Sequence, residues 1–248
     1  MPAVNSSKYL VQAGWSDVPH LDEKTKTELL ENTPVHLRDA RSKGTPSLGA
    51  GAIYPIAQSE FTVAPFAIPS HWWKAYGLDV GWKKTAAPFG AWDRDADVLY
   101  IYAEHYRGMA EPSVHADAIK ARGEWLQGTI DPASRGRNQK DGEALLDAYT
   151  ELGLSLIMAD NTVEAGLVEV FQMLSTGRLK VFTSCVNWLS EHRLYRRDEK
   201  GAIVKAHDHL MDATRYLVRM RHKVFSMPPA KKRNTSGGFQ IANSRGGY

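Results

Sequence analysis

The chain has one cysteine, Cys185, among 248 residues. A single thiol closes no internal disulfide and builds no thiolate zinc cage alone, which excludes a disulfide-stapled scaffold and a zinc ribbon. Long apolar runs are lacking too. No stretch approaches the roughly 20 residues of a membrane span. The N-terminus, MPAVNSSKYLVQAGW, has neither the basic start nor the apolar core of a signal peptide. Together these absences predict a soluble protein of a reducing cytoplasm. Acidic residues are missing from the basic C-terminal end. From Arg221 onward there are six basic residues (Arg221, Lys223, Lys231, Lys232, Arg233, Arg245) and no Asp or Glu. The whole chain carries 31 Lys and Arg against 28 Asp and Glu, a net charge of +3, so the part before Arg221 is slightly acidic. That division suits clustered carboxylates in a protein that meets a polyanion, or a tail that merely aids solubility.

With 43% hydrophobic and 24% charged residues, the chain can bury one sizeable core. Three textures succeed one another. Residues 1–70 are mixed: 22–40 predicts a charged amphipathic helix, and SKGTPSLGAGAIYPI an extended connector. Such a segment is expected to pack on the next domain. Residues 71–225 predict the folded body. Residues 226–248, rich in Pro, Gly, Ser and Lys, predict a basic flexible tail. No internal repeat is visible.

Within the body, YGLDVGW, AAPFGAW and DVLYIYAEHY predict three successive strands. Residues 113–124 read as a helix opened by Pro112. WLQGTIDP is a short strand halted by proline, 141–152 a helix closed by Gly153, and LSLIMAD a buried strand. Over 161–176 an amphipathic helix places Val163, Leu167, Val170, Phe171 and Leu174 on one face, with Asn161 and Glu164 at capping-box spacing. LKVF, a helix through CVNWLSEHRLYRR, a turn at DEKG and a last helix over 207–222 complete the series. Three adjacent strands favour an antiparallel meander, and later helix–strand alternation favours parallel pairing. The expected fold is α/β, with a mixed central sheet flanked by helices, a plan that RNase H-like nucleases share with other α/β folds.

Three acids carry the chemical argument. In Gly77-Leu78-Asp79-Val80-Gly81, strand alternation puts Tyr76, Leu78 and Val80 on one face and Asp79 on the other. A carboxylate in an apolar strand needs a partner or a metal, and the flanking glycines leave room for a cation and a phosphate. The alternative is an edge-strand aspartate facing water. Asp131 ends the strand GTIDP, where ligands of open α/β sheets gather; the alternative is an Asp-Pro turn or helix cap. Asp212 lies in HDHLMDATRY, where Asp208, His209 and Asp212 share one helical face. That cluster suits a hard divalent cation with a histidine alongside, and the alternative is an acidic first turn favoured by the helix dipole. Phosphodiester hydrolysis needs an activated water and charge relief on the leaving oxygen, which two Mg²⁺ or Mn²⁺ ions about 3.5–4 Å apart supply. Asp79 would bridge both ions, with Asp131 holding one and Asp212 the other.

GLDVG, a hairpin, GTIDPAS and then DHLMDATRY, in this order and spacing, resemble the nuclease half of large terminase subunits from tailed bacteriophages. The stretch VPHLDEKTKTELLENTPVHLRDARSKGTPSLGAGAIYPI is similar to the family's link from ATPase to nuclease. The likeness covers about residues 10–225. It implies an RNase H-like endonuclease that cuts concatemeric double-stranded DNA in a packaging motor. The expected partners are DNA, a portal protein, a small terminase subunit and an ATPase domain. The expected setting is the host cytoplasm, on the procapsid portal. It further implies that the family's three acids fall on Asp79, Asp131 and Asp212, with His209 near the metals and Asp208 a less secure ligand. No G-x-x-x-x-G-K-[ST] sequence occurs, so the chain is expected to hold linker and nuclease without the ATPase machinery, as a fragment of a larger subunit.

Lys83 and Lys84 come after the Asp79 strand, and Arg135, Arg137 and Lys140 after the Asp131 strand, so all five are candidate phosphate contacts, or else ordinary surface charge. Glu104 reads as a surface strand acid or an outer ligand. Trp72, Trp73 and Trp82 read as core aromatics or stacking platforms. His192, Arg193, Arg196 and Arg197 read as a basic, solvated helical face, or a contact for DNA or a partner. Two other functions share these features: a related RNase H-like enzyme such as a junction resolvase, and a non-catalytic module docking on portal or DNA.

Overall fold

The computed structural model describes residues 13–33, 38, 41–44, 51–131, 145–226 and 228–229. Helix α1 spans Glu23–Glu31. It ends sooner than the sequence predicts, because Thr33, directly ahead of Pro34, is disfavoured in helical backbone. After α2 (Gln58–Phe61) come the strands β1 (Thr62–Val63), β2 (Trp73–Leu78), β3 (Thr85–Asp93) and β4 (Val98–Arg107). Next are α3 (Pro112–Lys120), β5 (Gln127–Ile130), α4 (Leu145–Glu151), β6 (Ser155–Met158), α5 (Val163–Ser175), β7 (Leu179–Phe182), α6 (Val186–Leu194), α7 (His209–Arg219) and α8 (Arg221–Val224).

The seven strands form one sheet in the order β1-β7-β4-β3-β2-β5-β6. The β2–β3–β4 meander is antiparallel. All outer pairings, β2–β5, β5–β6, β4–β7 and β7–β1, are parallel. Alternation along β2 sends Tyr76 and Leu78 to one core cluster, with Phe89, Ile119 and Ile130, and Ala75 to the other, with Ile101, Val181 and Leu217. Asp79 therefore lies on the side covered by α7. Among the described residues, no helix is long and apolar enough to cross a membrane.

Residues ahead of 71 pack on the body, since Tyr54, Ile56 and Phe61 lie in the larger core cluster and β1 extends the sheet. Several expectations need correction. The capping box of α5 does not form. Thr162 is the N-cap but its hydroxyl donates to Asp160 and does not cap the helix, Asn161 turns to Asp131 and Arg215, and Glu164 pairs with Arg197. Phe171 is exposed, because the buried stripe of α5 runs through Leu167, Val170, Met173 and Leu174. The last helix divides at Met220. Most of the basic tail beyond residue 226 lies outside the described residues.

Candidate active site

Leu78 of β2 pairs with Ile130 of β5. Asp79 and Asp131 are thus the next residues beyond the carboxyl ends of two adjacent parallel strands, where a crevice opens in α/β sheets. Asp79 is tied to Ala86 by reciprocal backbone bonds of 2.9 Å. Since β2 runs between β3 and β5, the edge-strand alternative for Asp79 falls. Helix α7 crosses above. Gly77 faces that helix, and a Cβ there would collide with the Ala213 carbonyl, so this glycine admits a helix and not the phosphate expected from sequence. Gly81 is needed in the turn after the strand, against the Lys84 carbonyl.

The close approach brings the N-terminal turn of α7 over the strand ends. Asp79, Asp131, Asp208, His209 and Asp212 line one cavity of about 460 Å³. His209 Nδ1 donates to Asp79 Oδ2 at 2.8 Å. That bond raises the imidazole's pKa. Burial raises the Asp79 carboxyl, the His209 bond opposes this, and the charges of Asp212 and Asp131 push further upward. Asp131 Oδ1 accepts from Asn161 Nδ2 at 3.2 Å. Asp212 Oδ1 accepts from the Tyr195 hydroxyl and from Arg215 Nη2, both at 3.2 Å. Its Oδ2 accepts from Lys205 Nζ at 3.1 Å, and the same ammonium stands 3.3 Å from Asp208 Oδ2.

Sequence reasoning missed the residues that hold these acids. Arg215 Nη1 donates to Asn161 Oδ1 at 2.9 Å, so Asn161 and Arg215 link Asp131 to Asp212 across the cavity floor. Glu191 is buried and accepts from the Tyr106 hydroxyl at 2.8 Å and from the Leu210 backbone N–H at 2.6 Å. It satisfies an orphan donor at the start of α7 beside His209. Burial holds its carboxyl above the usual carboxylate range. Only Arg215, three residues after Asp212, had a local signal.

Other candidates lie elsewhere. Glu104 accepts from the Asn187 and Trp188 backbone N–H groups, each at 2.9 Å, and so caps α6; it is neither a ligand of the cavity nor a solvated strand acid. His192 is buried between Phe61 and Trp188 and does not belong to a basic surface. Trp72 stacks on Tyr100, Trp73 lies under Arg94, and Trp82 is 66% exposed. Lys83 is exposed, and Lys84 sits 4.5 Å over the Tyr106 ring. Arg135, Arg137 and Lys140 fall outside the described residues.

Residues 76–221 match the terminase RNaseH-like domain family. The chain belongs to that family. It is 31% identical over 237 residues to the terminase large subunit of Salmonella phage P22, covering 92% of this chain and 47% of that protein. It thus spans about half the length of that curated relative. The P22 large terminase nuclease domain superposes with a TM-score of 0.67 at 32% identity, covering 72% of this chain and 96% of the domain. The large terminase nuclease of thermophilic phage G20c, solved with bound magnesium, shares the fold at a TM-score of 0.50 and 15% identity, over 69% of this chain and 98% of that one. The mixed seven-stranded sheet is the RNase H-like fold of terminase nucleases.

The donors suit a hard divalent cation: carboxylate oxygens from two strand ends and a helix, with a histidine beside them. Four carboxylates line the cavity, and among the described residues Lys205 and Arg215 are the fixed cations that line it with them. The excess reaches Tyr216, whose hydroxyl is raised by burial and by Asp212, Asp131 and Asp79 together. Among the described residues no three acids or histidines close on one point as a preformed cage. Their oxygens are turned toward Asn161, His209, Arg215 and Lys205.

Proposed function

We propose that this chain is a divalent-metal-dependent endonuclease that cuts concatemeric double-stranded viral DNA during genome packaging. The observation that carries the reading is the meeting of Asp79, Asp131 and Asp212 in one open cavity at the carboxyl ends of two paired strands. Asp79, Asp131, Asp212 and Asp208 would hold Mg²⁺ or Mn²⁺. Once bound, such ions supply an activated water and charge relief on the scissile phosphate. Asp79, just beyond the end of β2, would be among the acids that hold the metal. His209 orients Asp79 through its Nδ1–H and keeps a proton beside the reacting phosphate. Asn161, Arg215 and Glu191 position the acids without touching substrate. Lys83 and Lys84, with Arg135, Arg137 and Lys140, guide the duplex by its phosphates.

The magnesium bound by the G20c nuclease supports the choice of metal class. The P22 relative, twice as long, supports a setting in which this chain works with an ATPase domain, a portal and a small subunit in the host cytoplasm. Residues 1–70 would lead from that ATPase domain, and the tail from 226 would add cationic reach. The test is incubation of supercoiled plasmid with Mn²⁺ or Mg²⁺, with EDTA and Asp79→Ala as controls. Nicking and linearisation that need both metal and Asp79 are expected. An intact plasmid at every metal and dose overturns the enzyme in favour of a docking module. Cutting confined to four-way junctions would make it a resolvase.

A further inference from the structure

The two oxygens of Asp212 meet very different cations. Oδ1 faces the core, where its donors are Tyr195 and Arg215. Both donors are almost fully buried. Arg215 is further fixed by Asn161 and packs so closely on Gly166 that a Cβ there would strike its side chain. Neither donor can leave without unpacking α7. Oδ2 faces the cavity, where its donor is Lys205, whose ammonium also reaches Asp208. The Lys205 side chain is 70% exposed, whereas those of Asp208 and Asp212 are 8% and 11% exposed. It rises from the non-helical segment before α7 and lines the same cavity as Asp79 and Asp131.

These facts divide the cations into one permanent and one removable. A largely solvated ammonium gains little from an ion pair and returns to water at small cost. A divalent cation brings twice the charge to the same oxygens and takes them as direct ligands. We infer that Lys205 is an exchangeable counter-ion, holding Asp208 and Asp212 together until a divalent metal displaces its ammonium. The inference rests on the proposed metal site and adds a residue that sets how readily the site loads. Lys205 screens the repulsion between two nearly buried carboxylates in the metal-free protein, and it competes with the ion that replaces it. Arg215 stays throughout and fixes the geometry to which the metal binds.

The competition has a sign that a merely structural ion pair lacks. Removing a structural contact weakens metal binding or leaves it unchanged, whereas removing a competitor strengthens it. The test is calorimetric titration of Mn²⁺ into the whole chain without DNA, for the wild type, Lys205→Ala and Lys205→Gln. Both variants should bind Mn²⁺ roughly tenfold more tightly. Both should melt below wild type in EDTA and gain more from saturating Mn²⁺. Lys205→Gln keeps most of the stem, which separates loss of charge from loss of packing. Unchanged or weaker binding in both variants overturns the exchange while leaving the metal site standing. No Mn²⁺ binding by any of the three proteins overturns the metal site and the exchange together.

Discussion

Two histidines on neighbouring helices show how surroundings divide one side chain between structure and chemistry. His192 lies in an aromatic nest of Tyr54, Phe61 and Trp188, is 5% exposed, and neither ring nitrogen has a hydrogen-bond partner among the described residues. Burial pushes its pKa down to about 3. His209 stands in the acidic cleft, and its bond to Asp79 pushes its pKa the other way. Helix α7 joins the two regions: Trp188 donates to Thr214 on the helix that carries His209 and Asp212. The nest holds the helix, and the cleft uses its first turn. Apolar surroundings keep a titratable group neutral, and an acidic neighbour keeps it charged.

The sharpest way to break this division is to remove the acid at the end of β2. Asp79→Ala should lower plasmid cleavage by at least about a thousandfold, several kcal/mol of lost charge stabilisation, while the fold persists. Gel assays with Mn²⁺ beside a thermal melt check both halves. Next come the acids on either side of the cleft. Asp212→Ala leaves buried Arg215 without its carboxylate and should cost about 3 kcal/mol in urea unfolding. Asp131→Ala leaves the Asp212–Arg215 pair in place and should cost less, about 1 kcal/mol. Equal losses in the two variants would mean that Asp212 is not anchored to the core. Both should stop cleavage.

The histidines themselves predict opposite pH slopes in the metal-free chain. The folded pKa of His192 lies below its unfolded value, so the unfolded state takes up more protons between about pH 6.5 and 3. Stability should fall as pH drops through that window, by about 2 kcal/mol at pH 5. The folded pKa of His209 is raised, so its contribution is present below the unfolded pKa and is lost as pH rises through the folded one. His192→Phe should flatten the acid limb of stability against pH, and His209→Gln should leave that limb in place. The smallest expected effect belongs to the rim. Lys83→Ala should reduce the salt slope of duplex binding by about one, measured with catalytically dead protein. Trp82→Ala should weaken binding about threefold without altering that slope, because an indole meets bases or sugars and releases no counter-ions.

The parts of this architecture that depend on local pattern were legible. β7 covers the LKVF segment, and the alternation of GLDVG correctly sends Tyr76 and Leu78 inward on one face and Asp79 to the other. The N-terminal cluster HDHLMD was legible because helical spacing alone aligns its acids. What escaped depends on partners far apart in the chain. Asn161 looked like a helix cap until Asp131 and Arg215, 30 and 54 positions away, claimed its amide. Glu191 and Tyr106, 85 positions apart, meet only once β4 and α6 are packed. His192 sits between Glu191 and Arg193 in sequence yet points into the core, because α6 turns that side toward Phe61. Lys205 carries no motif, and its place is set by how the chain enters α7.

At Gly77 a strand backbone and a helix backbone touch with no side chain between them. Side-chain layers yield to mutation by changing rotamer, but a main-chain contact has nothing to rotate. The gap across which His209 reaches Asp79 is thereby gauged by covalent dimensions, like two rulers laid edge to edge. A single methyl group at residue 77 would act as a shim, tilting the first turn of α7 off the strand ends and opening the cleft without altering any acid.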